Sequence, residues 1–223
     1  ALIEYADIKQ GFFNSFYIAM SVTVLSGYFS ALTAYGFYMY TFKGNKTLFS
    51  IILIFMMVPA QLSLIGFVSL MIRFGLFNSH IPLIIPAIAS IGTVFFLRQY
   101  VSATVNKEII ESARIDGANE LRIFHKIGIP LMMPGIATMS IFTFIGSWNN
   151  YLSARVLLVS KDKFTLPMTI ASLRTVGEQG VFWREYQGAV YLGFAFSIVP
   201  IIIIFIFASR YLIESIAAGA VKG

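Results

Sequence analysis

EIIESARIDGANELRIFHKIGIP, residues Glu108–Pro130, is the longest charged stretch in a chain otherwise built of apolar runs. Glu108, Glu111, Arg114, Asp116, Glu120, Arg122 and Lys126 lie among apolar residues at helical spacing, with His125 and the preceding Lys107 adding polarity at the edges. Outside it the charges are segregated. No Asp, Glu, Lys or Arg occurs in 10–42, 47–72, 74–97, 127–154 or 186–209, runs of 33, 26, 24, 28 and 24 residues. A helix needs roughly 20 apolar residues to cross the hydrocarbon core, so each run predicts a transmembrane helix. The expected fold is therefore all-α, a polytopic transmembrane helical bundle with five spans over about 12–40, 47–72, 82–101, 131–154 and 188–210. A polar helical segment pinned between two spans should be a docking surface.

Composition supports this reading. The chain has 223 residues, 58% hydrophobic and 12% charged, with mean hydropathy +0.81, where a soluble domain carries about 25% charged residues. The absence of cysteine excludes disulfides and thiolate metal sites. His80 and His125 are far apart and lack ligand partners, so no metal site is expected. The net charge of +6 suits a membrane protein with basic loops. No basic patch interleaved with aromatics points to nucleic acid. With the charged segment placed inside, nine Lys and Arg face the cytoplasm and seven face out, too even a split to fix orientation by charge.

Within the spans, Pro59 and Pro200 each remove a backbone hydrogen bond, which is tolerated where neighbouring helices or a cavity satisfy the freed groups. Ala189, Gly193 and Ser197 recur every fourth residue and predict a smooth face for close helix packing, or for a face that opens and closes a path. Trp148, Asn149, Asn150 and Tyr151 end the fourth span. The aromatics suit an interfacial belt. The paired amides need hydrogen-bond partners, which sugar hydroxyls or a neighbouring backbone could supply. These four, with Gln61, are the candidate substrate-path residues.

The charged segment reads as helix, turn, helix. Asn106 can cap a helix start, and Glu108 suits the positive end of its dipole. Asp116-Gly117 breaks the run, and a second short helix over about 118–127 leads to Pro130. Ala113, Gly117 and Ala118 leave room for a partner, and Glu111 and Asp116 offer it charge. A helix lying on anionic lipid would carry a more basic polar face. Here four acids nearly balance four bases, which favours a protein partner.

Glu111-Ser112-Ala113, then three residues, Gly117, then nine, then Ile127-Gly128-Ile129-Pro130 resembles the EAA loop of bacterial ABC importer permeases. Ser112 in place of Ala and Ile129 in place of Leu depart from that pattern conservatively. Asn14-Ser15, Ala34-Tyr35, Phe42-Lys43-Gly44, Pro59, Arg114–Ala118, Trp148-Asn149 and the ending Ala218–Gly223 resemble the carbohydrate-uptake, maltose-permease-like branch. Such permeases usually have six spans, so the resemblance implies that the first is missing from this chain. It also implies a bacterial inner or plasma membrane location, with 102–130 as the coupling loop and 211–223 as a tail, both cytoplasmic, and with 155–187 as an extracytoplasmic loop. The implied partners are a second homologous permease, a dimer of ATPase subunits and an extracytoplasmic solute-binding protein. Glu111, Ser112, Ala113, Asp116, Gly117, Ile127 and Pro130 would form the ATPase-coupling surface. Leu166-Pro167 and Trp183 would meet the binding protein, and Gly219–Gly223 would approach the ATPases. The chain has no G-x-x-x-x-G-K-[ST] and no nucleophile constellation. It is therefore expected to be no enzyme and to bind no cofactor, with ATP and Mg held by the partner ATPase. An importer of a polyol or a glycerol phosphate ester, or an ATPase-independent channel or membrane enzyme, are the alternatives.

Overall fold

The computed structural model describes the backbone of residues 2–179 and 183–220 and the side chains of 7–59, 61–175 and 187–207. Among the described residues there is no strand. The helices are α1 (Leu2–Met39), α2 (Asn45–Met56), α3 (Ala60–Arg73), α4 (Ile81–Ile84), α5 (Ile91–Thr104), α6 (Lys107–Ile115), α7 (Glu120–Ile123), α8 (Ile129–Trp148), α9 (Tyr151–Leu157), α10 (Leu166–Gln179) and α11 (Trp183–Ala220). Among the described residues four stretches are long and apolar enough to cross a membrane: Asp7–Met39, Ile81–Thr104, Glu120–Trp148 and Gln187–Phe207. A fifth is reached if α2 and α3 together make one broken span.

That break differs from the single helix expected over 47–72. The chain leaves the helix at 57–59, and Met57 and Val58 close it with short bonds to the carbonyls of Ile54 and Phe55. Proline drives the residue before it out of the helical region, so Pro59 stops the helix rather than bending it. α11, by contrast, runs through Pro200.

The chain forms two compact units. One comprises Ala1–Val22, Ala60–Pro86 and Thr143–Ile206. Its core gathers Ile8 and Ala19 of α1, Phe144 and Trp148 of α8, Leu166, Ile170 and Leu173 of α10, and Val190 of α11. Small residues let these helices meet. A Cβ on Gly11 would come within 2.6 Å of the Thr169 hydroxyl, and one on Gly193 within 2.7 Å of the Ile170 side chain. The polar stretch 155–187, expected as a loop, is largely helical and is tied down by two asparagines. Asn14 donates through Nδ2 to the carbonyls of Asp162 and Phe164, 2.9 Å each. Asn78 accepts at Oδ1 from the N–H groups of Val159 and Ser160 and donates to the Ser160 hydroxyl at 2.7 Å.

The other unit comprises Thr23–Pro59, Ala87–Phe142 and Phe207–Gly223. Its core packs Ala31, Ala34, Tyr35 and Met39 of α1 with Leu97 and Val101 of α5, Ile110 of α6, Ile123 and Phe124 beyond it, and Met132 of α8. Gly135 brings α8 against the Tyr100 ring, where a Cβ would sit 2.8 Å away. This core carries the charged segment.

Candidate functional site

α6 begins as its sequence requires. The Asn106 side chain accepts from the Glu108 N–H at 3.0 Å, and Glu108 stands in the first turn, against the positive end of the helix dipole. The end of α6 is a Schellman turn. Gly117 takes φ +80, its N–H bonds the Arg114 carbonyl at 3.0 Å, and the Ala118 N–H reaches the Ala113 carbonyl at 3.1 Å. A residue with a Cβ is strained at that φ, so glycine belongs there. Asn119 then caps α7, accepting from the Arg122 N–H at 2.8 Å.

Beyond α7 the backbone does not make the plain short helix over 118–127 that the sequence suggests. Residues Phe124–Gly128 form a π turn in which the Ile129 N–H bonds the Phe124 carbonyl, and α8 follows without a gap. Pro130 has no N–H to offer, and its ring would crowd the carbonyl four residues back. A widened turn immediately before it relieves both problems. Gly128 lies on the Tyr35 ring, where a Cβ would be 3.1 Å from Cε2.

A clamp holds the two short helices together. Arg114 donates from Nε to Glu120 Oε1 at 2.7 Å and from a terminal nitrogen to Oε2 at 3.3 Å. Tyr40, just beyond α1, donates its hydroxyl to Glu120 Oε2, and the Arg114 guanidinium lies 5.5 Å from the Tyr40 ring centre. Burial, then the hydrogen bond to Glu120, pushes the Tyr40 phenol above its ordinary value. The bond to Glu120 likewise raises Arg114. Tyr40 therefore stays a neutral donor and Arg114 a full cation. The sequence shows Arg114 and Glu120 as charges but not as a pair. Their six-residue separation matches no helical pair, and Tyr40 is distant in sequence.

The anchored face is Ile110, 1% exposed, with Ala113 and Ile127 half-buried against the same core. The opposite face is open. Glu111, Ser112, Asp116, Gly117 and Pro130 are exposed, and Ile115 and Leu121 are 86% and 66% exposed. Ser112 turns its hydroxyl back to the Glu108 carbonyl at 2.9 Å. Among the described residues Glu111 and Asp116 have no ion-pair partner. The segment thus presents two carboxylates with no ion-pair partner among the described residues, and two bare aliphatic side chains, on a base fixed by caps, clamp and core. Of the seven residues singled out for this surface, Ala113 and Ile127 pack against the core and the other five are exposed.

The candidate path residues are dispersed. Trp148 is buried, stacked on Phe144 at 5.7 Å and edge-on to Phe12 at 5.4 Å, and its Nε1–H is satisfied by the Ser197 carbonyl at 3.1 Å. Asn149 is exposed and donates to the Ile145 carbonyl. Asn150 caps α9 by accepting from the Ser153 N–H, and lines a cavity of about 310 Å³ with Ser63, Phe67 and Leu83. Tyr151 borders another of about 290 Å³ with Arg155 and Met168. Gln61 is exposed on α3. Ala189, Gly193 and Ser197 pack inward, Gly193 on Ile170 and the Ser197 carbonyl on Trp148. The Trp183 side chain and Val221–Gly223 lie outside the described residues. Among the described residues no group of three His, Asp or Glu is placed to hold a metal ion.

Comparison with known proteins identifies the family. The model of the family described as binding-protein-dependent transport system inner membrane component matches residues 18–217. The chain is 41% identical over 212 residues to the arabinooligosaccharides transport system permease protein AraQ of Halalkalibacterium halodurans, covering 95% of this chain and 74% of that protein. It is 32% identical over 216 residues to the lactose transport system permease protein LacG of Rhizobium radiobacter, covering 97% and 76%. Among solved structures it superposes with TM-score 0.77 and 26% identity on a chain from the crystal structure of a bacterial ABC transporter involved in the import of the acidic polysaccharide alginate, covering 92% of this chain and 75% of that one. With several membrane-length apolar helices and a match over nearly its whole length, this multi-pass chain belongs to the family of binding-protein-dependent transport system inner membrane components, the permease subunits of ABC importers.

Proposed function

We propose that the chain forms half of the translocation path of an ATP-driven importer of sugars, mono- or oligosaccharides, beside a second homologous permease. Two ATPase subunits would hold ATP and Mg on the cytoplasmic side, and a solute-binding protein would deliver the sugar from outside. The observation that carries the coupling role is the outward face of α6, with Glu111, Asp116 and Ile115 open on a segment fixed from behind. Glu111 would pair with a basic ATPase residue, and Ile115 and Leu121 would enter its cleft. Closure of the ATPase dimer would then move α6 and α7 as one body. The motion would pass through Ile110 and the Tyr40–Glu120–Arg114 clamp to α1, α5 and α8. The sugar assignment is supported by relatives whose names refer to arabinooligosaccharides and lactose. The test is uptake of a panel of labelled sugars, polyols and glycerol phosphate esters by the purified complex in proteoliposomes, with and without ATP inside. ATP-dependent accumulation of a sugar is expected. Accumulation of only a polyol or phosphate ester overturns the substrate class, and uptake indifferent to ATP overturns the mechanism.

A further inference from the structure

A cavity of about 620 Å³ opens between the end of α1, the turn leading into α2, the outer part of α5 and the first residue of α6. Lys46, Arg98 and Lys107 line it, with Asn45 and Thr47, and no carboxylate among the described residues does. Arg98 is held in place by the Phe49 ring, 4.2 Å from its guanidinium carbon. α2 starts at the same place. Its N-cap is Gly44 at φ +92, which offers no side-chain acceptor, and its first turn contains no acid. The free N–H groups of such a turn favour an anion. Three cations and a helix start without a side-chain cap therefore line one space with no carboxylate among the described residues.

The depth of this space is also informative. It lies where the spans Asp7–Met39 and Ile81–Thr104 end, the level at which phospholipid phosphates stand. Phe42, which lines it and is more than two-fifths exposed, offers an apolar flank for an acyl chain.

We propose that this cavity binds a phosphate-centred anion, with its oxygens shared among Arg98, Lys46, Lys107 and the first turn of α2. An anionic phospholipid headgroup and a free phosphate share that chemistry, and the depth favours the lipid. The inference rests on the membrane placement of the chain and is independent of the solute carried. The test uses the full chain, purified with its accompanying subunits, in nanodiscs. The three arms are phosphatidylcholine alone, phosphatidylcholine with about one-fifth phosphatidylglycerol, and phosphatidylcholine with inorganic phosphate. Retained lipid is counted by native mass spectrometry, and thermal unfolding is followed in parallel. Phosphatidylglycerol should be retained in preference to phosphatidylcholine and should raise the unfolding temperature. Lys46→Gln with Lys107→Gln changes two exposed side chains and leaves the core intact. It should weaken retention about 30-fold, while Arg98→Lys, which keeps the charge, should retain much of it. Protection by inorganic phosphate alone, lost in the double variant, upholds the site with a free anion as ligand. Equal retention by parent and double variant, or protection in no arm, overturns the proposal.

Discussion

Substitution of Gly117 separates the turn's role from mere bulk. Within the chain an added Cβ at this position meets nothing within 4 Å, so any effect of alanine on the chain's own fold comes from the backbone at φ +80. The left-handed conformation costs an L-residue roughly 1–2 kcal/mol, which raises the population of an opened α6–α7 turn about 5- to 30-fold. Asparagine tolerates this region, so Gly117→Asn should cost less than alanine. Proline cannot reach φ +80 and also removes the N–H that bonds the Arg114 carbonyl, a loss of about 3 kcal/mol or more. If the turn sets the angle at which α6 is presented, ATP-driven uptake should fall in the order glycine, asparagine, alanine, proline. Proline should abolish it while the chain still inserts, because the core around Ile110 and Phe124 is untouched. The assay is uptake per inserted molecule in vesicles, with insertion measured by immunoblot. Parent-like uptake by Gly117→Pro refutes the reasoning. Equal loss in all three variants refutes it too, since that pattern reports bulk at a contact rather than backbone conformation.

Glu111→Lys should leave insertion and stability unchanged and eliminate transport-coupled ATP hydrolysis, because its carboxylate has no ion-pair partner among the described residues; a phosphate-release assay on the purified complex checks this. A double-mutant cycle on Arg114→Ala and Glu120→Gln should give a coupling energy of about 0.2–1 kcal/mol in urea unfolding, reduced by added salt, since the pair is partly exposed. Gly128→Val should lower stability by about 1–3 kcal/mol through the clash with Tyr35, whereas Tyr35→Phe should be neutral or stabilising, because the Tyr35 hydroxyl is buried without a partner among the described residues; thermal unfolding in detergent distinguishes the two. Asn78→Ala should destabilise the 157–163 segment by about 2–3 kcal/mol, seen as faster amide exchange there, because Oδ1 and Nδ2 together hold Val159 and Ser160.

Local chemistry explains which features were legible in advance. Asn106 and Gly117 announce where α6 begins and ends, because caps act within a few residues. Charge-free runs mark the long spans for the same reason, since hydrophobicity is summed along the chain. Non-local features were hidden. One partner of Glu120 is Tyr40, eighty residues away, and no spacing rule connects them. Trp148 looked like an interfacial anchor because its own neighbours are polar, but Phe12 and Phe144 enclose it. The helices of 155–187 were obscured by their polarity, and they are stabilised by Asn14 and Asn78 from distant segments. Pro59 was legible as a disturbance, while its conversion from kink to break depends on how 57–59 closes. Pro130 was legible as the end of a motif, and the π turn that accommodates it was not.

The most direct test of the coupling role is a crosslink from the open face of α6. A photoreactive residue placed at Ser112, exposed beside Glu111, is activated in native membranes, and the adduct is identified by mass spectrometry. The account predicts a single major adduct with an ATPase subunit, with a yield that changes when ATP is added. An adduct with lipid alone, or with an extracytoplasmic protein, would contradict it.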